Sequence, residues 1–221
     1  MTPRSGRLRR NLKRLQYVLF ICGALALGYS AFVLISAHLY QKKAAKQFEQ
    51  HVYVNVPAEP SVSQAKPPAD GTLLARFEIP RLNMDMVVIE GDTDADLRRA
   101  IGHIPGTALP GNAGNVGIAG HRDTFFRPLR NVRAGDVISL QTKGATYRYK
   151  VESTEVVMPD RSDVLNPTPE PHLTLVTCFP FYYVGSAPKR FIVHAREIEP
   201  TPPASQGSEG QLAPATTNLG N

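Results

Sequence analysis

The sequence predicts a mainly β domain, a closed or nearly closed barrel of about eight strands with one or two short helices, preceded by a single transmembrane helix. Three observations lead to this prediction. One uncharged apolar run stands near the N-terminus, short alternating or β-branched segments fill the middle of the chain, and segments rich in Pro, Ser and Ala flank that middle part. Many short strands with few helices and no internal repeat favour a barrel, because closure leaves no strand edge unpaired.

The transmembrane helix is predicted over residues 15–37, which read LQYVLFICGALALGYSAFVLISA and carry no charge. Such a helix would be about 34 Å long, enough to cross a hydrocarbon core of about 30 Å. A cleaved signal peptide is the alternative, but its apolar part spans only about 7–15 residues and a clear cleavage site is missing here. Cations crowd residues 1–14, so the positive-inside bias predicts a basic cytoplasmic tail there and an external C-terminal domain.

The formal net charge of +6 is concentrated in that tail. Of the 25 basic residues in the chain, 19 lie beyond residue 14, and they are balanced by the 19 acidic residues. The predicted domain is therefore neutral and lacks the clustered positive charge that a nucleic-acid surface requires. Nucleic acid is accordingly not an expected partner, whereas a membrane is.

Two segments of the chain are too polar and too rich in Pro to bury a core. They are residues 38–71, predicted as a stalk that begins helix-like, and residues 199–221, predicted as a disordered tail. Residues 72–198 lie between them and have the length of one compact domain.

The strand candidates within this domain share β-branched residues or period-two alternation, and they are residues 72–79, 86–89, 116–119, 136–140, 146–157, 173–177 and 190–198. Lys143-Gly144 marks the turn of a hairpin. A short helix is predicted over residues 95–101, after Asp92 and Asp94. These carboxylates, with Asp96, are interpreted as caps and solvated charge, and no metal site is predicted.

Cys178 is the first candidate for chemistry. The chain has two cysteines, and Cys22 falls inside the apolar run, where it is most simply a small packing residue. Cys178 would then be the one thiol in a domain that is exported from the cytoplasm, and the space outside the cytoplasm tends to oxidise thiols. Its position at the end of a predicted strand suits either a packed residue or a nucleophile facing a cleft, and composition leaves both open.

A reactive thiol needs a base, and acyl transfer needs a donor for the developing oxyanion. Among the six histidines, His121 differs because it follows the apolar strand over residues 116–119 and opens a polar loop. Arg190 is the candidate donor, because a hairpin would return the chain to Cys178 twelve residues later. A surface role for Arg190 and a merely packed histidine at position 121 remain alternatives.

Several motifs resemble the sortase family. Thr174-Leu175-Val176-Thr177-Cys178 matches the TLxTC signature, residues 114–122 (GNVGIAGHR) resemble the segment with the catalytic histidine, and residues 188–193 (PKRFIV) resemble the segment with the arginine. Residues 79–82 (IPRL) and 102–107 (GHIPGT) match earlier strands in order. The resemblance covers roughly residues 72–198, and its flanks are closer to classes D and E than to class A.

The resemblance implies a sortase-type eight-stranded barrel with no cofactor, a membrane-anchored cysteine transpeptidase that cleaves an LPxTG-like motif. Cys178 would be the nucleophile, His121 the general acid/base and Arg190 the residue that positions substrate and stabilises the oxyanion. Implied partners are proteins with a C-terminal sorting signal and an amine acceptor, either a cell-wall peptide or a protein lysine. Substrate contacts are expected from Thr177, Val164, Leu165 and Tyr182, the last in an aromatic loop that either walls the groove or only covers the barrel end.

Two alternatives to this function stand beside it. A cysteine peptidase or an L,D-transpeptidase-like wall enzyme also pairs Cys with His, but would need a different motif around the cysteine, and in the peptidase a cysteine that opens a helix. A non-enzymatic anchored β domain, or a degenerate sortase, would keep Cys178 as a structural residue. A fold with helices packed on an open sheet would remove the sortase interpretation.

Overall fold

The computed structural model describes residues 4–52 and 67–198. Most of the predicted stalk (residues 53–66) and the predicted tail (residues 199–221) therefore lie outside the described residues. The described chain consists of one long N-terminal helix, α1, and one β domain.

Helix α1 runs over Arg4–Val52. Its segment Leu12–Lys46 is long and apolar enough to cross a membrane, by length and composition, although a signal sequence has the same properties. The helix continues past the predicted end at residue 37, because residues 38–52 contain neither Gly nor Pro. The first part of the predicted stalk is thus helical.

Within residues 67–198, eight strands follow α1, and they are β1 Leu73–Ile79, β2 Met84–Glu90, β3 Ile101–His103, β4 Asn115–Ala119, β5 Val137–Gln141, β6 Thr146–Val157, β7 His172–Phe179 and β8 Lys189–Ile198. They form a closed barrel in the order β1-β2-β3-β4-β7-β8-β6-β5, with β5 pairing back onto β1. The predicted closed barrel of eight strands is confirmed. Most neighbours are antiparallel, whereas β2–β3 and β4–β7 are parallel.

The barrel interior is filled by one apolar core to which nearly every strand contributes. Phe77, Ile118, Leu140 and Leu175 are fully buried in it. Phe126, from the loop after β4, closes the core and packs on Phe77 with ring centroids 6.1 Å apart. This packing holds the loop after β4 against the barrel.

The region between β2 and β4 differs from the predicted helix over residues 95–101. Helix α2 covers only Asp94–Leu97, with Thr93 as its N-cap, and Ile101 already begins β3. Ile101 is fully buried and pairs with Val88, so tertiary pairing overrides the local helical pattern. Three 3-10 turns, at Pro80–Leu82, Arg127–Asn131 and Ser162–Leu165, were not predicted either.

The C-terminal part of α1 packs on the outside of the barrel. Ala44 is buried against Val87, Ile89 and Ala100. The side chain of Gln41 accepts a hydrogen bond from the Val87 amide at 2.9 Å and donates one to the Arg99 carbonyl at 2.8 Å. Because β3 pairs with β2 only from Val88 onward, Gln41 satisfies an amide that lies beyond this ladder.

Two buried carboxylates stabilise the turns of the barrel. The Arg81 side chain binds both carboxylate oxygens of Asp136 and the carbonyl of Asn131, so it joins the turn after β1 to the start of β5. The hydrogen bond from Arg81 holds the pKa of Asp136 below its ordinary value. Asp96 accepts hydrogen bonds from Thr93 Oγ1 and Arg99, and the bond from Thr93 is the main reason why its pKa is lowered.

Two other polar groups are buried without such partners. Among the described side chains, Tyr149 Oη and Glu197 Oε2 are buried and have no hydrogen-bond partner. They are cross-strand neighbours on β6 and β8. Burial is the main reason why the pKa of both groups is raised, because the charged forms lose hydration, and it outweighs the opposing effect of Tyr149 on Glu197.

Candidate active site

Cys178 lies within β7, one residue before its end, and not after the strand as its predicted bounds suggested. Leu173 and Leu175 point into the barrel core and are fully buried. Because side chains alternate along a strand, Val176 and Cys178 point to the outer face. The thiol is free and partly exposed, as an attacking nucleophile must be.

His121 reaches the same place from β4. The parallel ladder pairs Ala119 with Val176, and His121 and Cys178 each follow two residues beyond that pair. The Gly120 amide donates a hydrogen bond to the Val176 carbonyl at 3.2 Å, so the alignment continues past the end of β4. The histidine is half-buried, and its carbonyl accepts the amide of Phe126 at 3.0 Å.

Arg190 is the direct cross-strand partner of Cys178 in the β7–β8 hairpin. Opposed residues of an antiparallel pair project to the same face, so the thiol and the guanidinium share the outer face of the barrel. The guanidinium donates hydrogen bonds to the carbonyls of Lys189 (3.1 Å) and Ala187 (3.4 Å), which hold it at the mouth of the hairpin loop. The fold thus brings the three sequence-predicted residues together at the ends of three adjacent strands.

This arrangement contains the groups that acyl transfer requires. The ends of three adjacent strands carry a thiol, an imidazole of the kind that exchanges protons near neutral pH, and a permanently charged donor for an oxyanion. Each comes from a different strand of one closed sheet, so the barrel fixes their relative positions without a metal. Among residues 4–52 and 67–198, no group of three or more His, Cys, Asp or Glu side chains is arranged to hold a metal ion.

A shallow surface leads along β4 and β7 to Cys178. Its floor consists of the half-buried residues Ala119 and Val176, and Gly117 lies next to them, covered by Leu165 and Thr107. The turn Ser162–Leu165 forms one wall, anchored by a hydrogen bond of 3.0 Å from Asn115 Nδ2 to the Val164 carbonyl. We call this surface the β4–β7 groove.

Gly117 is needed for this wall. A Cβ at position 117 would lie 3.0 Å from Leu165 Cδ2 and 3.0 Å from Thr107 Cγ2. Thr107 is held in turn by buried His103, whose Nδ1 lies 2.7 Å from Glu90 and whose Nε2 lies 3.0 Å from Thr107 Oγ1. Because position 117 has no side chain, Leu165 on one side and Thr107 on the other can both pack closely against β4.

The remaining predicted contact residues have different surroundings. Val164 and Leu165 are half-buried in the wall described above. Thr177 is buried, and its hydroxyl donates to the Gly120 carbonyl at 2.7 Å, which joins the end of β7 to the residue before His121. Tyr182 is largely exposed, and its ring lies near the guanidinium groups of Arg127 (5.9 Å) and Arg130 (5.5 Å). Substrate contact by these four residues stays a prediction.

A second cavity of about 550 Å³ borders His121. It lies between the C-terminal part of α1, the start of β2 and the loop after His121, and its lining is mostly apolar. Among the residues that line it are Ala37, Gln41 and Ala45 of α1, Met84 and Met86 of β2, and Phe125 and Pro128 of the loop. Helix α1 thus contributes to the surroundings of the predicted acid/base.

Three contributors to this site were not predicted from the sequence. Ala119 forms part of the groove floor, Gly117 lies next to it, and Arg122 binds the loop that follows Cys178. Period-two alternation from buried Val116 and Ile118 would have placed Gly117 and Ala119 on the outer face. No local pattern reveals Arg122, because its partners lie about 60 residues away in the chain.

The comparisons with known proteins agree with this geometry. The model of the Sortase family, described as the sortase domain, matches residues 77–198. Sortase D of Bacillus subtilis (strain 168) is 30% identical over 187 residues, which covers 80% of this chain and 93% of that protein. Sortase SrtE1 of Streptomyces coelicolor is 31% identical over 151 residues, which covers 60% of this chain but only 42% of that protein.

Solved structures show the same relationship. A sortase D5 transpeptidase from Clostridium perfringens superposes with a TM-score of 0.63 at 29% identity, covering 72% of this chain and 99% of that chain. Sortase E1 from Streptomyces coelicolor, solved with a tripeptide in its active site, superposes with a TM-score of 0.53 at 30% identity over 58% of this chain and 90% of that one.

Proposed function

This chain belongs to the sortase family, and from that membership we propose that it is a membrane-anchored transpeptidase that cleaves an LPxTG-like sorting motif through a thioacyl-enzyme at Cys178. The observation that carries the proposal is the meeting of Cys178, His121 and Arg190 at the ends of β7, β4 and β8. Family membership speaks against the L,D-transpeptidase and papain-like alternatives. The presence of all three groups speaks against a degenerate sortase.

The first half of the reaction is acylation. Cys178 attacks the carbonyl carbon of the motif threonine as the thiolate, with His121 protonated, and the Arg190 guanidinium donates to the oxygen that becomes negative. The C–N bond to the following residue breaks as His121 donates a proton to the departing amine. The products are a thioester on Cys178 and a free C-terminal fragment with a new amino group.

The second half is transfer. An acceptor amine attacks the thioester, His121 takes the proton that the amine loses, and the sulfur leaves as the thiolate. An amide bond replaces the thioester, and the enzyme returns to its starting state. A cell-wall peptide or a lysine of another protein is the acceptor that this proposal implies.

The β4–β7 groove supports a substrate with an apolar residue followed by Pro. Its floor of Ala119 and Val176 is flat and apolar, and Val164 and Leu165 provide aliphatic contacts in the wall. An extended peptide lying there would bring its threonine carbonyl to Cys178 at the end of the groove. Thr177 contributes by holding the two strands together, through its bond to Gly120.

The topology in the cell is part of the proposal. The apolar segment of α1 supports a single membrane span over residues 15–37, and the cations before it support a cytoplasmic N-terminus with an extracytoplasmic catalytic domain over residues 72–198. The last residues of the span lead directly into the part of α1 that packs on β2.

Mass spectrometry of the purified protein with a library of sorting peptides tests the proposed function. We expect a thioacyl adduct on Cys178, whose mass identifies the motif, and release of that adduct by added amines. Cys178→Ala should abolish the adduct, while Cys22→Ala, which removes the other free thiol of the described chain, should leave it intact. An adduct that survives Cys178→Ala would overturn the assignment of the nucleophile.

The other two roles are tested by turnover. His121→Ala and Arg190→Ala should each reduce kcat/KM by about 100-fold or more, as loss of an acid/base or of an oxyanion donor does in acyl-transfer enzymes. Arg190→Lys keeps the charge but loses the planar fork of donors, so an intermediate rate is expected. Near-normal turnover in both alanine variants would contradict the proposed trio.

A further inference from the structure

The side chain of Arg122 binds the loop that follows Cys178 at three points. Nη1 donates to the Pro180 carbonyl at 3.0 Å, and Nη2 donates to the carbonyls of Tyr183 (2.9 Å) and Gly185 (2.8 Å). The same guanidinium lies 5.8 Å from the centre of the Tyr183 ring. We call residues 180–188, between β7 and β8, the hairpin loop.

The hairpin loop has few other ties to the rest of the domain. At its base, Phe179, Phe181 and Phe191 pack together, with ring centroids 5.3–6.3 Å apart. Beyond this cluster, Val184 is 99% exposed and Tyr182 is 72% exposed. Segments with so few buried contacts open locally at low free-energy cost, so three hydrogen bonds from one side chain matter for their position.

An arginine is suited to this task because the loop presents carbonyl oxygens to it. Its planar guanidinium carries five N–H donors in fixed directions and stays charged at every relevant pH. It can therefore reach carbonyls of three different residues at once. A lysine ammonium is a single point of charge on a flexible stem, so it cannot span the same set from one position.

We call the three hydrogen bonds from Arg122 to the hairpin loop the clamp. The position of Arg122 in the chain links the clamp to the candidate active site. The β4–β7 ladder ends at Ala119 and Val176, and the bonds of Gly120 to Val176 and Thr177 are its last ties. His121 and Cys178 lie just beyond that point. Arg122 follows His121 directly, and its partner Pro180 is two residues after Cys178.

The geometry points to Arg122 as a positioning residue for the proposed reaction. It joins the segment that contains His121 to the segment that contains Cys178, beyond the last paired residues of β4 and β7. Without it, these two segments would be connected only through the strands behind them and through the contacts of the Tyr182 ring with Arg127 and Arg130, so the hairpin loop would be held less firmly against the loop after β4. The inference rests on the proposed function for its catalytic consequence, but the clamp itself is a property of the fold.

The position of the clamp predicts which kinetic constant responds. The β4–β7 groove lies along the strands towards Val164 and Leu165, whereas the clamp is on the opposite side of Cys178, at the strand ends. Loss of Arg122 should therefore misalign His121 with Cys178 and leave the contacts of a peptide with Val164 and Leu165 unchanged, so that at most the predicted contact with Tyr182 is weakened. Misplacement of a catalytic group by about 1 Å costs up to about 100-fold in rate.

The experiment compares Arg122→Ala and Arg122→Lys with wild type and with the control Arg127→Ala, all in the full chain. Arg127 lies close by in sequence and contacts the same loop, but only through the Tyr182 ring. Two quantities are measured: kcat and KM for cleavage of a sorting peptide, and the hydrogen exchange of residues 180–188 followed by mass spectrometry.

For Arg122→Ala we expect kcat to fall by about 10- to 100-fold with KM within about threefold of wild type. Exchange should become faster in residues 180–188 and stay unchanged in the barrel strands. Arg122→Lys should restore part of both effects, and Arg127→Ala should show neither. A rise in KM with kcat preserved, or unchanged exchange in residues 180–188, would overturn the positioning role.

These outcomes are separate from failure of the proposed function. If wild type forms no adduct on Cys178 with any sorting peptide, the transpeptidase proposal fails, whereas the exchange measurement still reports whether Arg122 holds the loop. If the adduct forms but Arg122→Ala reacts at the wild-type rate, the inference alone is wrong.

Discussion

Thr177 illustrates how one hydroxyl ties the proposed catalytic residues together. Its Oγ1 donates to the Gly120 carbonyl at 2.7 Å in a buried position, one residue before both Cys178 and His121. Its side chain is therefore used inside the fold, next to the proposed nucleophile Cys178. The same hydrogen bond explains why a threonine suits this position of the TLxTC signature better than an aliphatic residue of the same shape.

Replacement of Thr177 by Val tests this contribution. Thr177→Val keeps the shape but leaves the buried Gly120 carbonyl without this donor, so we expect a loss of about 1–3 kcal/mol in the free energy of unfolding. Because the bond lies beside the acid/base, kcat should fall as well. Chemical denaturation and peptide cleavage measure the two effects, and Thr177→Ser, which retains the hydroxyl, should lie close to wild type. Equal stability of Thr177→Val and wild type would contradict the argument.

Glu197 lowers the stability of the fold at neutral pH, whereas Thr177 raises it. Burial raises the pKa of its carboxyl in the folded state above the unfolded value, so the ionised form is disfavoured by folding. Ionised Glu197 thus lowers stability above its folded pKa, and this cost disappears as the pH falls below the unfolded pKa. The group favours folding at mildly acidic pH, in contrast to Asp136, whose lowered pKa stabilises the fold until acid protonates it.

Glu197→Gln should therefore raise Tm at pH 7–8 and have little effect near pH 4, where the wild-type carboxyl is already neutral. Thermal unfolding followed across this pH range gives the comparison. Glu152→Gln is the matched control, because Glu152 lies on the neighbouring strand in an exposed ion pair with Arg196 and should give no gain at neutral pH. A pH-independent difference between Glu197→Gln and wild type would show that burial of the charge is not the cause.

At the scale of elements, the pair β4 and β7 carries two of the three proposed catalytic residues. They are parallel, and they end at the same end of the barrel, where His121 follows β4 and Cys178 lies in the last part of β7. A parallel pair sends both chains out in the same direction, so the residues that follow the two strands lie side by side. The β7–β8 hairpin adds Arg190 from the antiparallel side, where the chain re-enters the sheet.

The groove between β4, β7 and the turn Ser162–Leu165 depends on Gly117. Gly117→Ala places a methyl group 3.0 Å from Leu165 Cδ2 and Thr107 Cγ2, so the wall must move outward by a few tenths of an ångström. We expect KM for a sorting peptide to rise by about 2- to 10-fold, because a peptide would lose contacts with Leu165 in a groove that no longer closes on it.

Two further measurements qualify that result. Gly144→Ala is the control, since the added Cβ meets nothing within 4 Å, and it should leave KM unchanged. The Tm of Gly117→Ala should stay within a few degrees of wild type, because Leu165 is half-buried and can shift. A fall in kcat with an unchanged KM would place the effect at Cys178 and not in the groove.

At the scale of the whole molecule, α1 is both the proposed anchor and a packed part of the catalytic domain. Ala44 is buried against β2 and its surroundings, and Gln41 makes two hydrogen bonds to the barrel. In the apolar segment before them, the described side chains of residues 12–36 are exposed. The barrel is therefore held close to the end of the proposed membrane span, with the cavity beside His121 enclosed partly by α1.

A comparison of two truncated chains measures this packing. A chain that begins at residue 36 keeps Gln41 and Ala44, whereas one that begins at residue 67 exposes the apolar surface of Val87 and Ile89. Two lost hydrogen bonds and the lost burial lead us to expect that Tm falls by about 5–10 °C in the shorter chain. Gln41→Ala in the longer chain should reproduce part of the fall, and Lys43→Ala should not. Equal Tm values would contradict packing of α1 on the barrel.

The sequence by itself determined the fold class of this protein. Alternation in Leu73–Ile79 and the β-branched runs of later strands are local patterns that predicted seven of the eight strands and a barrel, and an uncharged run predicted the apolar segment of α1. Cys178, His121 and Arg190 were identified because each stands in a short motif at a strand end.

The tertiary structure decided what depends on partners far along the chain. It began β3 at Ile101, because pairing with Val88 outweighs a local helical pattern, and it placed Gly117 under Leu165. It also directed Arg122 to carbonyls about 60 residues away, a contact that no local pattern contains. The physical reason is that secondary-structure periodicity reflects local burial, whereas close packing and side-chain hydrogen bonds depend on which strands the barrel brings together.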